Sequence, residues 1–129
     1  MRKVAVVGTG HTPFMFDSSK TEIEMLAEAV SEAIKESNIH SKNVQSMYVG
    51  NVLGDFSEGQ AMIQSFAAND LGCFNIPAVR LEGACASGTL AVIQACIAVG
   101  AGLFDLVIAC GTEKATAMGT PLATRTFAM

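Results

Sequence analysis

From Gly83 to Phe104 the chain carries no charged residue, and this stretch constrains the fold more than any other. It raises the question of a membrane span, but Gly83, Ser87, Gly88, Thr89, Gln94, Gly100 and Gly102 interrupt it. Its continuously apolar pieces fall far short of the roughly 20 residues that a spanning helix needs. The expectation is a buried helix from Ala86 to Val99, stopped by Gly100. A helix that is apolar on nearly every side must be sandwiched between layers. The rest of the chain has to supply those layers.

Strand-like segments flank the helix. Ala78 to Leu81, introduced by Pro77, precedes it, and Leu103 to Ala109 follows it. Upstream, Val4 to Val7 is a short apolar run closed by Gly8-Thr9-Gly10, which reads as a buried parallel strand. His11 to Ser19 reads as a loop. Thr21 and Glu24 stand in capping-box spacing at the start of a helix from Glu22 to Glu36. Ile23, Leu26, Ala27, Val30, Ala33 and Ile34 form its apolar face, and Glu22, Glu28, Glu32 and Lys35 its polar one. Val44 to Val49 reads as a strand, and Ser57 to Leu71 as one helix stopped by Gly72. The order βαβαβαβ implies an α/β fold, a mostly parallel sheet with helices on both faces. Thr112 to Met129 reads as a loop. No element then remains to cover the far side of the apolar helix, so the chain is expected to be part of a longer protein.

Composition narrows the function classes. Half of the 129 residues are hydrophobic and 16% are charged, which supports a packed core. The net charge is −4 and the eight basic residues form no run, so there is no electrostatic footprint for nucleic acid. The start, Met1-Arg2-Lys3 leading straight into Val4, lacks the apolar region and cleavage site of a secretory signal. Cys73, Cys85, Cys96 and Cys110 include no CxxC pair, and only two histidines are present, so zinc-site spacing is missing and no metal is expected. Cys85 and Cys96 lie roughly 16 Å apart along a helix, against the 4.4–6.8 Å or so that a disulfide spans. Free thiols in a reducing compartment, the cytoplasm, are the simpler reading.

The turn Leu81-Glu82-Gly83-Ala84-Cys85-Ala86-Ser87-Gly88 carries the chemistry. Cys85 falls where a buried strand ends and a buried helix begins. Unpaired backbone N–H groups and the positive end of a helix dipole favour a thiolate at such a point. The same N–H groups can hold an oxyanion when the sulfur attacks a carbonyl. Ala84, Ala86, Ser87 and Gly88 are small, so a substrate can approach closely. The competing reading is a cysteine that only fills space, and that is the reading given to Cys96 and Cys110.

Glu82-Gly83-Ala84-Cys85-Ala86-Ser87-Gly88, a small-residue helix, a strand, and then Gly111-Thr112-Glu113-Lys114 resemble the thiolases. The similarity is strongest to the archaeal and sterol-carrier-type acetyl-CoA acetyltransferases, and the opening from Val4 to Pro13 shares it. The resemblance implies a thiolase-like N-terminal half over residues 1–111 and the start of an inserted loop domain over 112–129. It implies acyl transfer from acetyl-CoA or another acyl-CoA, carried as a thioester on Cys85, with coenzyme A thioesters as substrates and no bound cofactor. It also implies a homodimer paired along the strand at Ala78 to Leu81, or a complementary C-terminal half. The family's base histidine and second cysteine lie in motifs absent from these residues, and neither His11 nor His40 is assigned that role. The piece alone is thus expected to be inactive. A related condensing enzyme (a ketoacyl or hydroxymethylglutaryl-CoA synthase) and a non-catalytic interaction subunit are the alternatives.

Two further motifs have competing readings. Gly8-Thr9-Gly10 could cradle a phosphate, but the dinucleotide fingerprint wants a third glycine where Pro13 stands. Glu113 and Lys114 read equally as a solvated pair or as residues that shape the site.

Overall fold

A computed structural model describes residues 1–15 and 19–128. Phe16 to Ser18, in the expected first loop, and Met129 lie outside the described residues. The chain is α/β, as expected, and the described residues form three parallel strands: β1 (Ser46–Gly50), β2 (Ala78–Leu81) and β3 (Val107–Gly111), in the order β2-β1-β3. Gly50 lies opposite Leu81 on one side and Gly111 on the other, so the carboxyl ends of all three strands share one edge.

Strand alternation sets the two layers. Met47 and Val49, both fully buried, join a core with Leu26 and Val30 of α1 (Glu22–Ser37) and Ile63 and Ala67 of α3 (Ile63–Asp70). Gly50 faces the other way, toward α4 (Ser87–Gly100). A Cβ there would lie 2.6 Å from the carbonyl carbon of Ser87, so only glycine lets this helix come so close to the sheet. Ala91, Ala95 and Ala98 are buried, while Val92, Ile93 and Ile97 are exposed on the outer side of α4. The apolar helix thus has a sheet on one face and, among the described residues, no cover over Val92, Ile93 and Ile97 on the other.

α1 forms as its capping box requires. The Thr21 hydroxyl accepts from the Glu24 N–H, the Glu24 carboxylate accepts from the Thr21 N–H, and Asn38 closes the helix in the left-handed conformation. The Thr21 N–H is the chief cause that holds the Glu24 carboxyl below its ordinary range.

Three expectations are corrected. Val4 to Val7 is not a strand: it joins none of the three strands among the described residues, and Val6 is 82% exposed. The segment stands across a groove of about 430 Å³ from β3, anchored elsewhere. Arg2 donates through its backbone N–H to the Gly100 carbonyl (2.9 Å) and through Nη1 to Asp105 (2.6 Å). Gly8 and Gly10 press on the α1 backbone, where a Cβ would come within 2.2 Å of the Ala33 and Ala29 oxygens. Held by its ends, the run has no ladder partner among the described residues. The helix expected over Ser57 to Leu71 starts only at Ile63, as α3. A separate short helix, α2 (Gly54–Ser57), ends where it was expected to begin, and Gly59 at φ 67° turns the chain between them. The expected loop after Thr112 contains a 3₁₀ turn (Ala115–Met118) and α5 (Gly119–Phe127). Pro121 sits in the first turn of α5, where its missing N–H interrupts no helical bond.

Candidate active site

The chain leaves β1 toward α3 and β2 on one side, while β3 pairs on the other side of β1. Loops that diverge from the carboxyl ends of neighbouring parallel strands open a crevice. Here that crevice is a cavity of about 390 Å³. It is lined by Gly50, Val52 and Leu53 after β1, Gly111, Thr112 and Glu113 after β3, and Cys85 with its neighbours at the start of α4. Phe127 of α5 closes one side.

Cys85 sits in a 3₁₀ turn (Ala84–Ala86) between β2 and α4 and is exposed. The turn is tightly bonded. The Ala86 N–H donates to the Gly83 carbonyl (2.9 Å), the Ser87 N–H to the Ala84 carbonyl, and the Ala84 N–H to the Glu82 carboxylate (3.2 Å). Those three amides are engaged. The Cys85 N–H makes no hydrogen bond with the described residues, so it is the amide of this turn free to meet a substrate oxygen.

The other three thiols are also free of disulfides. Cys73 and Cys110 sit away from the cavity in apolar surroundings. Burial raises the Cys73 thiol and pushes Cys110 up to about 12. A thiol held that high stays protonated and inert at mildly alkaline pH. Iodoacetamide should therefore modify Cys85 while sparing Cys73 and Cys110, as read by peptide mass spectrometry. Modification of Cys110 at the rate of Cys85 would contradict this placement.

A polar network that sequence reasoning missed holds the cavity walls. Glu22, placed on the polar face of α1 by its spacing, is fully buried. Its carboxylate accepts from Asn51 Nδ2 (2.8 Å), the Lys114 N–H (3.1 Å) and the Ser57 hydroxyl. Asn51 Nδ2 also donates to the Thr112 carbonyl (2.8 Å), which ties the loop after β1 to the loop after β3. Arg80 of β2 grips the same turn from below, donating to the Asn51 and Val52 carbonyls (3.3 and 3.2 Å) and pairing with Asp55 at 2.7 Å. Asn51 directly after a strand-ending glycine was the one available signal, since buried Asn after a strand commonly bonds backbone.

Glu113 and Lys114 belong to this frame: each bonds other groups of the loops, although Glu113 stays exposed to solvent. The Glu113 carboxylate accepts from the Val52 and Leu53 N–H groups, the latter at 3.1 Å. Burial raises the Glu113 carboxyl above its ordinary range, against the lowering effect of those two donors. Lys114 Nζ donates to Glu58 (3.0 Å) and to the Lys20 carbonyl (2.9 Å).

The glycine-rich segment offers no phosphate cradle. Glu36 takes the Thr9 N–H and hydroxyl, and Glu32 takes the His11 N–H at 2.9 Å. Carboxylates already occupy the donors a phosphate would need. Neither His11 nor His40 lines the Cys85 cavity. No group of residues suited to a metal ion occurs, and no helix is long and apolar enough to cross a membrane, among the described residues.

Comparisons with known proteins bear on the family and the fold. The family described as "Thiolase, N-terminal domain" matches residues 4–128. An acetyl-CoA acetyltransferase of Methanocaldococcus jannaschii is 39% identical over 116 residues, covering 90% of this chain and 30% of its own length. Human sterol carrier protein 2 is 32% identical over 117 residues, covering 88% of this chain and 21% of its own. The chain therefore spans less than a third of either relative. Among solved structures, 3-oxoacyl-[acyl-carrier-protein] synthase III from Aquifex aeolicus is similar in fold, with a TM-score of 0.54 at 16% identity, over 66% of this chain and 27% of that one.

Proposed function

Because the chain belongs to the thiolase family through its N-terminal domain, we propose that it bears the acyl-accepting nucleophile, Cys85, of a thiolase-type acyl-CoA acyltransferase. The observation that carries this reading is the placement of an exposed thiol in a cavity at the carboxyl edge of a parallel sheet, beside an unengaged backbone amide. In the first half-reaction a bond forms between Cys85 Sγ and the acyl carbon as the bond from that carbon to the CoA sulfur breaks. The thiol proton passes, in net terms, to the departing CoA. The Cys85 N–H donates a hydrogen bond to the oxygen on which negative charge builds. Covalent capture divides one difficult transfer into two easier ones.

The second half-reaction passes the acyl group to CoA or to the enolate of another acetyl-CoA, and so needs proton-transfer groups. Among the described residues, no histidine and no second cysteine lines the cavity. On this reading, residues 1–129 supply the acyl acceptor and its setting, and, as the family resemblance implies, residues 112–129 open the inserted loop domain and the groups of the second half-reaction come from a complementary C-terminal half. The uncovered outer face of α4 and the exposed Val79 on the edge strand β2 support further protein against both, the latter in a homodimer. The free thiols fit the cytoplasm.

A covalent acyl-enzyme makes one half-reaction reversible without the other. The full-length protein should exchange isotopically labelled CoA into acetyl-CoA with no second acyl substrate present. Absence of exchange by a folded protein would contradict the reading.

A further inference from the structure

Ala84, directly before Cys85, has φ of 49°, a left-handed conformation in which alanine is strained. Something must hold it there. Ser87, which is 5% exposed, has its hydroxyl folded back over the turn. It accepts from the Gly83 N–H at 2.9 Å and donates to the Ala84 carbonyl at 2.7 Å. A helical serine commonly bonds a carbonyl one turn back. Here the same oxygen also accepts from an amide on the near side of the strained residue. One hydroxyl thus ties the Glu82–Gly83 peptide to the Ala84–Cys85 peptide, so it restrains the backbone angles of Gly83 and Ala84 together and, through them, the direction of the Cys85 amide and sulfur. The close approach of Gly50 to the Ser87 backbone keeps that hydroxyl from swinging away with its own residue.

We infer that Ser87 is a positioning residue for the nucleophile: its hydroxyl clamps the left-handed Ala84 and so aims Cys85 and its N–H into the cavity. This rests on the proposed role of Cys85. The hydroxyl touches no reacting atom and acts only through the turn. Without it, Ala84 relaxes toward an ordinary backbone conformation, and sulfur and amide no longer face the same substrate carbonyl. Misplacement on the order of 1 Å can cost about 10²-fold in rate.

The test compares the full-length wild-type protein with Ser87→Ala, Ser87→Thr and the double variant Ala84→Gly with Ser87→Ala. Acetylation of Cys85 by acetyl-CoA is followed in single turnover by quenched mass spectrometry, over a range of acetyl-CoA concentrations. Ser87→Ala should acylate about 10²-fold more slowly at saturation, with half-saturation changed less than about threefold, because binding contacts remain. Ser87→Thr, which keeps the hydroxyl, should recover most of the rate. Glycine adopts positive φ without strain, so the double variant folds even where Ser87→Ala does not, and it should remain slow because the turn is unclamped. Wild-type rates in a folded Ser87→Ala or in the double variant would overturn the inference and leave the Cys85 reading intact. Equal slowing in the folded alanine and threonine variants would also overturn it. No acetylation of the wild-type Cys85 would remove both.

Discussion

Replacing Glu22 with alanine is expected to lower folding stability by about 3 kcal/mol or more, which is a large part of the 5–15 kcal/mol or so that a domain of this kind has. The size follows from what the substitution strands. Asn51 Nδ2, the Ser57 hydroxyl and the Lys114 N–H all aim at one carboxylate that is fully buried. Each buried donor left without an acceptor costs about 1–3 kcal/mol. Asn51 keeps its bond to the Thr112 carbonyl, so its loss is partial. Glutamine at the same position keeps one acceptor oxygen but turns an amide N–H₂ toward donors, and should fall between wild type and alanine. Urea unfolding of the full-length variants measures the difference directly. A loss below about 1 kcal/mol, within the ordinary range of surface substitutions, would show that the network contributes little.

The second large effect concerns chemistry and not folding. Cys85→Ser should abolish acyl exchange, by on the order of 10³-fold or more, since a serine hydroxyl is a far weaker nucleophile than a cysteine thiol. The side chain is exposed and packs against little, so the unfolding midpoint should stay within the scatter of surface substitutions. That split separates an acyl carrier from a subunit that serves only to bind partners. A binding subunit would lose nothing on this substitution, and its exchange activity would be absent from the start.

Much of the scaffold was legible because local rules and tertiary packing agreed. Thr21 and Glu24 announced the start of α1. The all-round apolar stretch after Cys85 announced a helix that lies on the sheet, with its exposed side at Val92, Ile93 and Ile97. The strand at Ala78–Leu81 and the strand-to-helix turn at Cys85 were placed by the same alternation of short apolar runs and glycines.

What stayed hidden depended on partners distant in sequence. Val4 to Val7 has the composition of a buried strand, but a strand needs a neighbour to bond with, and its surroundings leave a groove there instead. Glu22 sits on the side of α1 that helical spacing assigns to solvent. The loops after β1 and β3 fold over that side, and no periodicity reports such a cover. Glu113 was ambiguous for a related reason: its role depends on the amides of Val52 and Leu53, some 60 positions away. Ser87 was visible only as a small residue near the thiol. Its hydroxyl gained meaning from the φ of Ala84, which the sequence does not reveal.

Acyl capture on Cys85 is the claim to which the other functional statements are attached. The most direct measurement is peptide mapping of the full-length protein after brief incubation with acetyl-CoA and an acid quench. The expected result is one acetyl group on the peptide that contains Cys85, lost on treatment with hydroxylamine or excess CoA and absent from Cys85→Ser. Acetyl groups on another residue, or none on a folded protein, would contradict it.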